Sequence, residues 1–212
     1  DETRVSIYQD GVPISRSRGS YVELFDMERV EIAKGPQSTL FGRGALIGAV
    51  NLVQNKANPG GFDWALKAEA GTRGYRVGEA MVNFTIGESS ALRIAARTRQ
   101  ADGYVKDAAG GDAYDSTDTQ AVRVAFHTEA GKLKFDLIGN YQVDDGTGTS
   151  FKSNTFNPSN PVTGQALSNT SVGGVATLAP GAGFEGGAPL GLDRKVYGLT
   201  ALADYRINDS LT

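Results

Sequence analysis

The chain has 212 residues with 28 Gly, 7 Pro, no Cys and 1 His, and its 21 Lys and Arg against 24 Asp and Glu leave a net charge of −3. Without Cys there is no disulfide framework, thiolate metal site or Cys nucleophile, and one His excludes a multi-His zinc site. The 40% hydrophobic content is too high for a disordered chain, and the mildly acidic balance offers no basic excess for a nucleic-acid partner.

The opening residues, DETRVSIYQDG, carry no basic segment, no apolar segment and no Met, and read as the interior of a longer protein or a processed end. VSIYQ (5–9) and VPIS (12–15) flank Asp10-Gly11, a pair suited to a type I′ turn, so a hairpin is expected. Short helical pieces are expected around Leu24–Arg29, followed by a strand over VEIAK (30–34). Gly35-Pro36 breaks the chain, and Ser38 or Thr39 is placed to cap a helical turn at TLFG (39–42). GAVNLVQN (48–55) is a β-branched strand, and NKANPGG (55–61) reads as a linker.

From Trp64 the pattern changes to long segments of period two: Trp64–Thr72, Arg76–Gly87, Ala91–Ala101, Thr119–Glu129, Leu133–Val143 and Lys195–Ile207. They exceed the usual soluble strand of about five or six residues and suit a tilted strand crossing a bilayer. Leu92, Ile94, Ala96 and Thr98 alternate with Arg93, Ala95, Arg97 and Arg99; Val122, Val124 and Phe126 alternate with Arg123, Ala125 and His127. One face is therefore apolar and the other carries charges and small residues. A soluble sandwich alternates in the same way, so alternation alone leaves both readings open. The connections discriminate better. GESS (87–90), AGK (130–132) and NDS (208–210) are tight, whereas 102–118 and 144–194 are long. Tight turns at one end and long loops at the other is the layout of an outer-membrane barrel. Trp64, Tyr75, Tyr104, Phe126, Tyr141, Tyr197 and Tyr205 fall mostly near strand ends, as interfacial aromatic girdles do. No apolar run approaches the roughly 18 residues of a membrane-spanning helix.

Chemistry-bearing motifs are few. GRGALIGAV (42–50) fails the dinucleotide spacing at Ile47 and has no following Gly-Lys-Ser/Thr, so it reads as tight backbone turns. His127 has no ligand partner by spacing and reads as a hydrogen-bonding residue. Asp102, Asp107, Asp112, Asp115 and Asp118 lack EF-hand spacing, and they and Asp144-Asp145 read as solvated loop carboxylates. There is no nucleophile elbow. No catalytic set, metal site or cofactor is expected.

The stretch YQDGVPISRSRGSYVELFDMERVEIAKGPQSTLFGRGALIGAVNLVQNKANP (8–59) resembles the second half of the plug domain of TonB-dependent outer-membrane receptors. The densest match is ERVEIAKGPQSTLFGRGALIGAVNLV (28–53), which departs from the family at Ile47, where a second Gly is usual. The motif positions carried over are Glu28, Arg29, Gly35, Pro36, Leu40, Phe41, Gly42, Arg43, Gly48 and Asn51. DGYVKD (102–107) also looks like the family's barrel. The resemblance implies a mostly β fold: part of an antiparallel transmembrane β-barrel (58–212, about six strands) preceded by part of a small mixed α/β plug domain (1–57). It implies a receptor in the bacterial outer membrane that binds a scarce small-molecule nutrient (siderophore-iron, a vitamin or an oligosaccharide). Import would proceed by energised plug remodelling, with the TonB–ExbB–ExbD complex and outer-membrane lipid as partners. It also implies a plug–wall latch: Lys34 and Arg43 occupy the family's basic positions, with Glu69 and Glu79 as wall partners and an ion pair within the plug as the alternative. Arg16, Arg18 and Tyr21 are weak candidates for ligand contact. A passive or structural barrel and a soluble β-rich binding module remain the competing readings.

Overall fold

A computed structural model describes residues 5–14, 22–36, 45, 47–107, 113–147, 170–171 and 192–207. Its strands, in chain order, are β1 (Val5–Gln9), β2 (Val12–Pro13), β3 (Met27–Lys34), β4 (Gly48–Gln54), β5 (Asp63–Ala70), β6 (Arg76–Ile86), β7 (Ser90–Ala101), β8 (Lys106–Asp107), β9 (Thr117–Ala130), β10 (Leu133–Gly146), β11 (Thr170–Ser171) and β12 (Leu192–Tyr205). They form a small sheet of order β2-β1-β4-β3, a large sheet of order β12-β10-β9-β7-β6-β5, and a short β11-β8 pair.

In the small sheet, β1 turns into β2 at Asp10 and Gly11, both at positive φ (51° and 79°), as a type I′ hairpin requires. β1 runs parallel to β4, and β3 lies antiparallel on the other side of β4. The helical pieces expected around Leu24–Arg29 are absent. Residues 22–26 are irregular, and from Met27 the chain is already a strand. Met27 and Arg29 pair with Gln54 and Val53 of β4, and the amides of Glu23 and Asp26 are bonded by Gln142 and Glu79 of the large sheet. Pairing with a neighbouring strand overrides weak local helix propensity. Among the described residues the regular structure of the small unit is all strand; the helical turn expected at 39–42 lies outside them. Two glycines of the motif have clear causes. A Cβ on Gly48 would lie 2.9 Å from the Ala33 carbonyl oxygen, and Gly35 ends β3 at φ +84°.

In the large sheet every neighbouring pair is antiparallel, with continuous register over most of each strand. The strands run from 8 to 14 residues, around the about 9–11 residues that a tilted strand needs to cross a bilayer. The tight connections 87–89 and 131–132 lie at one end, together with the entry from the small sheet at Asp63. The connections 71–75, 102–116 and 147–191 lie at the other.

The two faces of this sheet are reversed relative to a soluble sandwich. The apolar face is open: Val124 is 42% exposed and Leu199 74%. The charged face is covered: Arg123 and Asp136 are each 3% exposed. A soluble module would hide its valines and leucines. A wall strand in lipid shows the pattern seen here, with apolar side chains out and polar ones in. The small residues of the covered face let the small sheet come close. Ala57 packs on Ala91, Ala125 and Ile138, and Phe25 packs on Ala95 and Ala121.

Candidate functional site

The functional geometry lies where the small sheet meets the covered face of the large one. Residues 22–26 cross that face just before β3. Asp26 has φ 48°, a left-handed conformation that Asp tolerates better than most residues. Held there, the segment presents two side-chain carboxylates and several backbone groups to the arginines of β7 and β9.

Arg93 donates from Nε to Asp26 Oδ2 at 2.8 Å, and its Nη2 donates to Oδ1 of the same carboxylate, forming a bidentate pair in which both side chains are largely buried. Asn55 Nδ2 donates to Asp26 Oδ1 at 3.0 Å. Arg97 reaches Glu23 at 3.0 Å and Glu79 at 2.7 Å, and Arg99 reaches Glu23 at 2.7 Å. Arg123 donates from Nη1 to the carbonyls of Phe25 and Asp26, both at 2.9 Å, and its guanidinium lies 4.6 Å from the Phe25 ring centroid. Gln142 Oε1 accepts from the Glu23 amide at 2.8 Å, and Glu79 Oε1 accepts from the Asp26 amide at 3.3 Å. Gln54 fits with its carboxamide oxygen toward Arg123 Nη2 (2.7 Å) and its nitrogen toward Asp10 (3.2 Å).

Burial alone would push the Asp26 carboxyl up. The hydrogen bonds from Arg93 and Asn55, with the Arg93 and Arg123 charges, outweigh it and hold the carboxyl below its ordinary value of 3.8. Asp10 goes the other way: burial dominates, and its carboxyl is raised despite the Gln54 amide and Arg123.

A cavity of about 270 Å³ borders this contact, lined by Glu23, Phe25, Gln54, Arg123, Asn140 and Gln142 among others. A larger one of about 960 Å³ opens at the long-loop end, where Asp118, Asp144, Asp145 and Asp193 face Arg99 and Arg194. Among the described residues, no group of three or more His, Asp or Glu could hold a metal ion.

A second contact lies toward the tight-turn end, along residues 55–62. Lys56 Nζ is 2.7 Å from Asp136 Oδ2, and His127 Nδ1 is 2.7 Å from Asp136 Oδ1. Asn83, 2% exposed, uses its amide on the backbone of this segment alone: Oδ1 accepts from Asn58 N (2.9 Å), and Nδ2 donates to Asn58 O and Gly61 O (both 2.8 Å).

The sequence-derived candidates divide. Glu79 sits in the contact with residues 22–26. Glu69 pairs instead with Lys67 on its own strand (2.6 Å) and with the Tyr75 hydroxyl (2.9 Å). Glu28, Arg29, Glu31 and Asn51 form a cluster on the small sheet. Arg29 bonds Glu28 and Glu31, and Asn51 joins Glu31 (2.8 Å) to the amide of Gly11 (3.0 Å). That ties β3 to the hairpin turn across β4, and it accounts physically for the Asn of the motif. Lys34 and Gly35 end β3, with Pro36 beyond. Arg16, Arg18, Tyr21, Leu40, Phe41, Gly42 and Arg43 lie outside the described residues.

Sequence reasoning missed the carboxylates of Glu23 and Asp26 and the use of Arg93, Arg97 and Arg123. The polarity expected for a latch was basic residues on the small sheet and acidic ones on the wall. The contacts among described residues run chiefly the other way. One signal was present: arginines recurring on a single face of two strands need carboxylates, and the nearest unassigned ones were in ELFD (23–26).

Residues 1–49 match the TonB-dependent Receptor Plug Domain family. The chain is similar to the catecholate siderophore receptor Fiu of Escherichia coli K12, with 37% identity over 95 residues, which is 44% of this chain and 12% of that protein. Of the solved structures, it superposes on the open form of Fiu from E. coli K12 with a TM-score of 0.66 at 20% identity, covering 98% of this chain and 30% of that one. It superposes on the ferripyoverdine receptor of the Pseudomonas aeruginosa outer membrane with a TM-score of 0.68 at 18% identity, covering 94% and 25%. These superpositions establish the fold. The chain matches only about an eighth of the length of the curated relatives.

Proposed function

We propose that this chain, the plug end and adjoining wall strands of a TonB-dependent receptor of the bacterial outer membrane, is the gate of a receptor that binds a ferric siderophore outside the cell and admits it when TonB acts on the plug. In this reading residues 1–57 belong to the plug and 58–212 to the wall, whose open apolar face meets outer-membrane lipid. No covalent bond is made or broken. Ligand is captured from the long-loop end, and the TonB–ExbB–ExbD complex supplies the work that shifts the plug.

The observation that carries this reading is the contact between Glu23–Asp26 and the wall arginines. It is held by ion pairs on either side of a buried Phe25 and bordered by two cavities. When such a contact separates, water takes over each hydrogen bond, and the desolvation of the charges is recovered. An apolar plug–wall seam would offer no such exchange. A gate of this kind stays shut at rest and opens under a directed pull.

The test is uptake of radioactive iron, supplied as a ferric catecholate, by cells whose sole catecholate receptor is the full-length protein. Uptake that stops in cells lacking TonB is the expected result. Uptake that continues without TonB would make the protein a passive barrel. Uptake no greater than in receptor-free cells overturns the siderophore assignment.

A further inference from the structure

The wall arginines that hold residues 22–26 differ in what else they can reach. Arg93, Arg97 and Arg123 are largely buried, and Arg97 keeps only 13% of its side chain exposed. Arg99 keeps 38%. It also lines the cavity of about 960 Å³ at the long-loop end, whose lining includes none of the other three. Its Nη2 lies 2.7 Å from Glu23 Oε1, while Arg97 holds the other oxygen of that carboxylate at 3.0 Å. Arg99 Nε is buried and has no hydrogen-bond partner among the described residues, so the contact with Glu23 uses only part of the guanidinium fork. Arg99 registers with Thr119, Thr119 with Asp144, and Asp144 with Arg194, so one row of the covered face carries an arginine at each end. Asp144 is already engaged by Arg194, Thr119 and Gln142. By strand alternation Asp118, Asp145 and Asp193 set their side chains on the open face and border the cavity at its rim.

We propose that Arg99 is shared between plug and ligand: at rest it holds Glu23, and an anionic iron complex in the long-loop cavity draws it away, leaving Glu23 to Arg97 alone. The inference rests on the reading of the chain as the gate of a siderophore receptor, and it adds the ligand's charge as the property the gate senses. The physical basis is competition for one guanidinium. A complex that presents several anionic oxygens offers Arg99 a bidentate partner, where Glu23 offers one oxygen. Arg99 can turn because it borders the cavity and because Glu23 keeps a second cation when it leaves. Departure of Arg93 would instead leave Asp26 buried without its ion-pair partner. Loss of Arg99 weakens the hold on residues 22–26 before any force acts. A neutral complex has nothing to offer Arg99 and fills the cavity without loosening the segment.

The test is amide hydrogen exchange of the full-length receptor in lipid bilayers, with binding measured on the same samples. Two probes are used: the ferric complex of a tris-catecholate chelator, which is a trianion, and that of a tris-hydroxamate chelator, which is neutral. The trianion is expected to speed exchange at residues 22–26 about two- to fivefold, the worth of a partly exposed ion pair. The neutral complex is expected to leave it unchanged. Arg99→Gln is expected to exchange faster without ligand, to bind the trianion more weakly, and to show no further change on binding. Glu23→Gln frees Arg99 and, because ligand and Glu23 compete for it, is expected to tighten trianion binding about two- to fivefold. A merely structural contact would not give that opposite sign, and Glu23→Gln carries the test if Arg99→Gln fails to assemble. Trianion binding that leaves exchange at residues 22–26 unchanged overturns this inference alone. So does a neutral complex that speeds exchange equally or binds where the trianion does not, and so does Glu23→Gln binding the trianion no tighter. Binding of neither complex overturns the siderophore assignment, and this inference with it.

Discussion

Between Val22 and Asp26 the plug touches the wall mainly through charge, with Glu23 and Asp26 set against Arg93, Arg97 and Arg99, and with Phe25 packed on Ala95 and Ala121. Between Asn55 and Phe62 it touches the wall mainly through a neutral amide and packed methyl groups, with one ion pair at Lys56. Both contacts are tight, and neither is stronger in every sense. The charged one depends on its partners being present, because the guanidiniums of Arg93 and Arg97 have been taken out of water against particular carboxylates. The linker contact involves fewer charges, and its Asn58, Gly60 and Phe62 are exposed.

The sharpest way to break this comparison is Asp26→Ala in the full receptor. It strands Arg93 with no carboxylate and is expected to cost about 3–5 kcal/mol, as removal of one partner from a buried pair does. Amide hydrogen exchange would show protection lost at residues 22–34 and kept at 57–61. Loss at both would mean the two contacts are one cooperative unit. Next is Val124→Arg, placed outward at the middle of β9, expected to cost about 2–4 kcal/mol of folding into lipid vesicles. No effect would mean that this face does not meet lipid. Asn83→Ala should cost about 1–3 kcal/mol, the usual penalty for buried polar groups left unpaired, with exchange rising at the linker amides and not at residues 22–26.

The pH dependence should be smaller and one-sided. The folded Asp26 carboxyl lies below its ordinary value of 3.8. Its contribution is therefore complete above that value and is lost only as the pH falls through the lower folded value. Exchange protection at residues 22–26 should be flat from neutral pH to about pH 5 and should fall in stronger acid. A loss centred near neutral pH would assign control to another group. Glu69→Gln should leave both contacts unchanged, since Glu69 is engaged by Lys67 and Tyr75 on its own hairpin. A rise in exchange at residues 22–26 would instead make it part of the latch.

Much of the fold was legible in the sequence because strand physics is local. Alternation over Ala91–Ala101 or Thr119–Glu129 fixes which residues share a face, and Asp10-Gly11 fixes a turn from two residues alone. The motif from Glu28 to Asn51 was equally legible, being long and contiguous. The failure at Leu24–Arg29 has a plain cause. That stretch has no strong propensity of its own, and distant partners decide its conformation, β4 for Met27–Arg29 and the large sheet for Phe25 and Asp26.

By itself, then, the sequence determined the strands, their two faces, the plug motif and the barrel layout. Each of these follows from neighbours a few residues apart or from the spacing of turns. Only the tertiary structure decided what the charged face packs against. Asp26 and Arg93 are 67 positions apart, and Arg123 and Phe25 are 98. Period two puts an arginine on a face without naming its partner. It also leaves an asparagine in β6 indistinguishable from any other polar residue until the linker folds back over it. Partnership across such separations is set by how the plug seats on the wall, and that is a property of the packed molecule.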